Sequence, residues 1–79
     1  MQISSIVPLR RDWHVTPKGA YWQLKQEYRY DIWGLYLTKA EAIGAGIDQA
    51  RLGATSLVLH GLDGRIQTVW SYDDAIVPR

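Results

Sequence analysis

Any chemistry in this chain would have to start from its two histidines, His14 and His60, and the carboxylates near them. The stretch LVLHGLDGRIQ, residues 57–67, sets His60 three residues before Asp63. That order would suit a general base and the carboxylate that orients it. Asp-Gly between two apolar segments is also the strongest short-range signal for a hairpin, where Asp serves the turn itself. No convincing Ser, Cys or Lys nucleophile lies nearby in sequence, and no glycine-rich anion cradle precedes a helix. The turn reading is preferred, no catalytic residue is assigned, and a non-enzymatic protein is expected. His14 and His60 would share a metal only if their strands were neighbours. The chain has no cysteine, and two imidazoles without a carboxylate or thiolate cluster are too few for a closed site. Neither a metal nor a cofactor is expected.

The elements that carry these residues can be read from the pattern. In DWHVTPKGAYWQLKQEY, residues 12–28, two alternating segments flank Lys18-Gly19, which reads as a hairpin turn with glycine supplying a positive φ. This turn pairs Val15 with Trp22, Trp13 with Leu24, His14 with Gln23 and Thr16 with Tyr21. Trp13, Val15, Trp22 and Leu24 then share one face, and His14, Thr16, Tyr21, Gln23 and Lys25 the other. A short third strand is expected over Ile32–Leu37, with Gly34 as a bulge or close approach. The Thr38–Glu41 stretch, TKAE, is a capping box that opens a helix, and Leu37 before it suits a hydrophobic staple. Ile43, Ile47, Ala50 and Ala54 recur at helical spacing, with Gly53 as the stop. Gly44 and Gly46 weaken a helix, and close approach to a Trp-rich sheet is the expected compensation. A type I′ turn at Asp63-Gly64 pairs His60 with Gln67, Leu59 with Thr68, Val58 with Val69 and Leu57 with Trp70. Leu57, Leu59, Ile66 and Trp70 then face inward, and His60, Arg65 and Gln67 outward, with Val58 and Val69 as an apolar pair on the open face.

The fold class is therefore α+β: two antiparallel β-hairpins flanking a single α-helix, ββ(β)αββ, the helix packed on one sheet face. At 79 residues there is room for one domain. It is placed at 12–72, after a loosely held lead-in (1–11, where an extra edge strand at Ile3–Val7 is the less favoured reading) and before a tail at 73–79 that Pro78 keeps out of a central strand. Four Trp and five Tyr with no Phe supply large areas with polar tips, suited to cores and interfaces alike. Trp13, Trp22 and Trp70 are assigned to the core. Trp33 has no assigned face; with Tyr28, Tyr30 and Tyr36 it forms the candidate aromatic patch, for which core and interface carry equal weight. The net charge of +1 gives no strong field toward nucleic acid or anionic membrane. No long apolar run exists, and the cytoplasm is the expected location.

Taken in order, WHVTPKGAYWQLK, TKAEAI and ATSLVLHGLDGRIQ…SY resemble the bacterial domain-of-unknown-function 2188 family. The matching pieces are His14–Pro17, Gly19–Lys25 with Trp22, Thr38–Ala42 and His60–Ile66, within residues 13–72. The segment Tyr28–Tyr36 is more aromatic than the family's pattern there, a departure that could mark a local binding feature. The resemblance implies a compact ββαββ-like domain and brings no activity with it.

The expected function is a small interaction module that binds a protein partner or itself, a homodimer included. Its candidate surface is the aromatic segment (Tyr28, Tyr30, Trp33, Tyr36), a sheet edge, or the polar face (His14, Tyr21, Gln23, Lys25, His60, Arg65, Gln67). The size also suits a phage- or bacteria-encoded regulator or inhibitor. The alternative is a weak nucleic-acid binder using Lys25, Arg65, Tyr21 and Arg29, but one aromatic on a nearly neutral chain is thin for recognition by an open sheet.

Overall fold

A computed structural model describes residues 11–29, 31 and 33–72. The lead-in up to residue 10, Tyr30, Ile32 and the tail from residue 73 lie outside the described residues, and with them what was expected of those segments.

Among the described residues, five strands and one helix follow in the order β1 (Trp13–Lys18), β2 (Tyr21–Gln26), β3 (Gly34–Tyr36), α1 (Lys39–Gly53), β4 (Ser56–His60) and β5 (Ile66–Ser71). They form one sheet ordered β3-β2-β1-β4-β5. Every neighbouring pair is antiparallel except β1 with β4, which is parallel. A parallel pair needs a long crossover, and α1 lies within it, so the helix lands on one face of the sheet.

The first hairpin turns at Gly19-Ala20, one residue later than expected. Val15 pairs with Leu24, His14 with Lys25, Thr16 with Gln23 and Trp13 with Gln26. Only Gly19 carries a positive φ, +62°, as a turn with glycine at its first central position requires. The register is thus two residues from the one expected. A shift of two preserves parity, so the division of faces survives although every pair changes.

The second hairpin departs from a two-residue turn. The Gly64 N–H donates to the Gly61 carbonyl (2.9 Å) and the Gly61 N–H to the Arg65 carbonyl (2.8 Å). Gly64 has φ +84°, while Asp63 is not left-handed. This is a three-residue loop closed by a left-handed glycine, with Asp63 Oδ1 accepting from the Arg65 N–H at 2.9 Å. The expected pairs hold from Leu57 to Leu59, but a bulge then sets His60 opposite Ile66 rather than Gln67. The extra residue changes the parity of the strand beyond it. Ile66 therefore moves to the open face and is 61% exposed. Gln67 moves off that face: its Oε1 accepts from the Lys39 Nζ on the helix.

The helix begins as its sequence dictates. Thr38 Oγ1 accepts from the Glu41 N–H, and Glu41 Oε1 accepts from the Thr38 N–H, each at 3.2 Å. Leu37, however, is 72% exposed and does not staple. The left-handed residue at the C-terminal end is Ala54, φ 54°, and Gly53 remains helical. The buried stripe is Ala42, Gly46 and Ala50, with Ile43 and Ile47 flanking it. A Cβ on Gly46 would stand 2.7 Å from Leu57 Cδ1 and 3.1 Å from Leu24 Cδ1, whereas one on Gly44 would meet nothing. Gly46 thus lets the helix settle onto leucines rather than tryptophans, and Gly44 has no such compensation.

Helix α1 packs chiefly on β1, β2 and β4. Beneath it lie Trp13, Val15, Leu24, Leu57 and Leu59. Leu24, Leu57 and Val15 are fully enclosed, each such side chain contributing about 1.5–3 kcal/mol. Strand β5 sits at the margin of this cover, so Trp70, expected in the core, is 39% exposed.

Candidate functional site

Because β1 and β4 are parallel neighbours, with His14 beside Val58, the two histidines become diagonal neighbours on the face opposite the helix. His14 Nδ1 and His60 Nε2 lie 2.9 Å apart, with ring centroids 5.2 Å apart and planes inclined by 33°. The outer nitrogens are also engaged. His14 Nε2 is 2.8 Å from Glu27 Oε2, and His60 Nδ1 is 3.0 Å from the Gly64 carbonyl oxygen. The chain of contacts therefore runs from the end of β2, across β1 and β4, to the tip of the second hairpin.

Acceptors stand at both ends of this chain. The Gly64 carbonyl only accepts, so His60 Nδ1 carries a proton and donates it. One proton lies in each of the three links, so Glu27 and the two imidazoles together hold three. The Asp63 carboxylate is occupied by the turn, Oδ1 accepting from the Arg65 N–H, and Oδ2 stands 3.9 Å from Arg65 Nε.

The histidine pair lines a concavity of about 370 Å³ with Thr16, Lys25, Gln26, Glu27, Tyr28 and Arg29. Arg29 is committed to Asp31 through Nε (3.2 Å) and Nη2 (3.1 Å). This side-chain pairing, with the Asp31 backbone N–H and the guanidinium charge, holds the Asp31 carboxyl below its usual range. Tyr28 is exposed, with its backbone left-handed at φ 63°.

The other candidate residues scatter. Trp33 is half exposed but stacks edge-to-face on Trp13, centroids 5.5 Å apart. Tyr36 packs against the core on the helix face. On the polar face, Tyr21 and Lys25 are exposed. Gln23 is buried, and Val58, although on the open face, is only 6% exposed. Arg65 is exposed at the hairpin tip. Trp22 is covered by the Lys39 ammonium, 5.0 Å from its ring centroid.

Glu27 was missed by sequence reasoning. With the observed register it lies two residues beyond Lys25, the partner of His14, and so is a diagonal neighbour on the same face. The expected register would have hidden that relation.

The described residues thus form an α+β domain, one helix on a mixed five-stranded sheet, with one face covered and one carrying a hydrogen-bonded histidine pair. The chain belongs to the family described as an uncharacterized protein conserved in bacteria, DUF2188, whose model matches residues 13–72. No curated protein and no solved structure matches it. Among the described residues, no helix is long and apolar enough to cross a membrane.

Proposed function

We propose that this domain is a non-enzymatic, cytoplasmic interaction module that acts by strand pairing along β5, with a second copy of the chain as its partner. The observation that supports this most is the character of that edge. Among the described residues, β5 has no strand on its outer side. It is six residues long, IQTVWS, with neither charge nor proline. Protein edges are ordinarily blunted by lysine, proline or brevity. The opposite edge, β3, is only three residues long. Ile66, Val69 (52% exposed) and Trp70 add apolar surface to β5.

The strand also suits itself as a partner. The Tyr72 N–H donates to the Thr55 carbonyl, so by alternation along the ladder Trp70 points its backbone toward β4 and Val69 points its backbone outward. An antiparallel pair centred on Val69 sets Val69 opposite its own copy and Thr68 opposite Trp70 of the second copy. Uncharged residues meet without like-charge opposition, and a two-fold axis closes the assembly. Light scattering of the full chain tests the reading: a dimer is expected that Val69→Lys converts to monomer with an unchanged circular dichroism spectrum. A wild-type monomer at high concentration, or a dimer indifferent to Val69→Lys, refutes it.

A further inference from the structure

The open sheet face holds an aromatic residue whose backbone conformation does not suit it. The Arg29 N–H donates to the Gln26 carbonyl at 3.2 Å, so Glu27 and Tyr28 are the central residues of a tight turn. Tyr28 is left-handed there, φ 63°, at a position where such turns favour glycine or asparagine. Its side chain gains no burial in return, being 62% exposed. It borders the concavity of about 370 Å³, beside Thr16 and Lys25. Strain kept at an exposed aromatic residue points to a ligand rather than to stability. The charges beside it point the same way. Lys18, Tyr21 and Lys25 are exposed, and the register puts all three on the face of His14, with Lys18 opposite Tyr21 and Lys25 opposite His14. Glu27 is taken by His14 and Asp31 by Arg29. Among the described residues, neither Lys18 nor Lys25 pairs with a carboxylate. Two bare cations thus accompany two exposed tyrosines, which stand about 20 Å apart along β2 at about 3.3 Å per residue.

We propose that this face binds single-stranded nucleic acid, with one base stacking on Tyr28 at the concavity, another on Tyr21, and the phosphates between them meeting Lys25 and Lys18. Aromatic stacking beside a cationic track is how open sheets hold unpaired strands. Every imidazole nitrogen of the histidine pair is already engaged, so the two rings offer the concavity surface rather than donors. Strands β1 and β4 separate β2 from β5, so the site stands whether or not β5 pairs with a second copy.

Fluorescence anisotropy of labelled oligothymidylate, titrated with the full chain at several salt concentrations, tests this. Two phosphate contacts give an expected slope of log affinity against log salt of about −1.4, and Lys25→Gln should reduce it to about −0.7. Tyr28→Gly removes a stacking platform and should weaken binding about tenfold. Glycine suits the left-handed turn, so the Tm of this variant should equal or exceed that of wild type, which separates loss of the site from loss of the fold. Absence of binding at low salt overturns the proposal, as does a salt slope unchanged in Lys25→Gln, an affinity unchanged in Tyr28→Gly, or equal binding of the matching duplex. Equal binding of polyglutamate also overturns it and assigns the face to an acidic polypeptide instead.

Discussion

Replacing His60 by alanine removes two of the three links in the Glu27–His14–His60–Gly64 chain, and the loss can be worked out from their character. The link from His60 Nδ1 to the Gly64 carbonyl is a neutral hydrogen bond, worth about 0.5–1.5 kcal/mol. The link between the rings is a second hydrogen bond of the same class, again about 0.5–1.5 kcal/mol. The His14 side chain keeps about a fifth of its surface exposed, so water can replace part of what is lost. The lower ends of both ranges then apply, and His60→Ala should destabilise the domain by about 1 kcal/mol. In a domain of this size that lowers Tm by about 5 °C. Urea denaturation of wild type and variant is the assay, with Leu62→Ala at the exposed hairpin tip as a control expected to change little. Combining His60→Ala with Glu27→Gln should give less than the sum of the single effects, because both act on His14. A His60→Ala variant within about 0.5 kcal/mol of wild type, the range of ordinary surface changes, or strict additivity with Glu27→Gln, would refute the connected chain.

The two helix glycines should respond with opposite signs. Gly44→Ala is expected to stabilise by about 1 kcal/mol, since nothing lies within 4 Å of the new Cβ. Gly46→Ala should destabilise, because a Cβ 2.7 Å from the enclosed Leu57 brings overpacking of about 1–3 kcal/mol against the same gain in propensity. Equal stabilisation by both in chemical denaturation would mean the helix does not sit this close. For Asp31, whose pKa is lowered by Arg29, the ion pair's contribution is present above the unfolded-state pKa of about 3.9 and is lost as pH falls through the lower folded value. Carbon-13 titration should place its midpoint below that of Arg29→Gln; identical midpoints would disprove the pairing.

The sequence was most readable where one residue's neighbours decide its structure. The Thr38–Glu41 capping box is local, and it forms as read. The faces of β1 and β2 were also legible, because parity is insensitive to a two-residue shift, although the turn was misplaced by the attraction of Lys18-Gly19. What failed was non-local or depended on one extra residue. The bulge between Leu59 and His60 carries no signal of its own in the alternation, yet it moved Ile66 and Gln67. Nor does any pattern within β1 or β4 announce that these strands pair in parallel. That pairing joins His14 to His60 and, with the corrected register, brings in Glu27, so the site became visible only with the topology. The aromatic segment divides for another reason: Tyr36 packs against the core, and Trp33 sets one edge on Trp13 while staying half exposed, a choice that no local pattern makes.

The strand-pairing reading is tested most directly by amide hydrogen exchange at Val69, whose N–H points away from β4. Its protection should rise with protein concentration and vanish on dilution, while the core amide of Leu57 stays protected throughout. Fast exchange at Val69 independent of concentration would contradict self-association through β5.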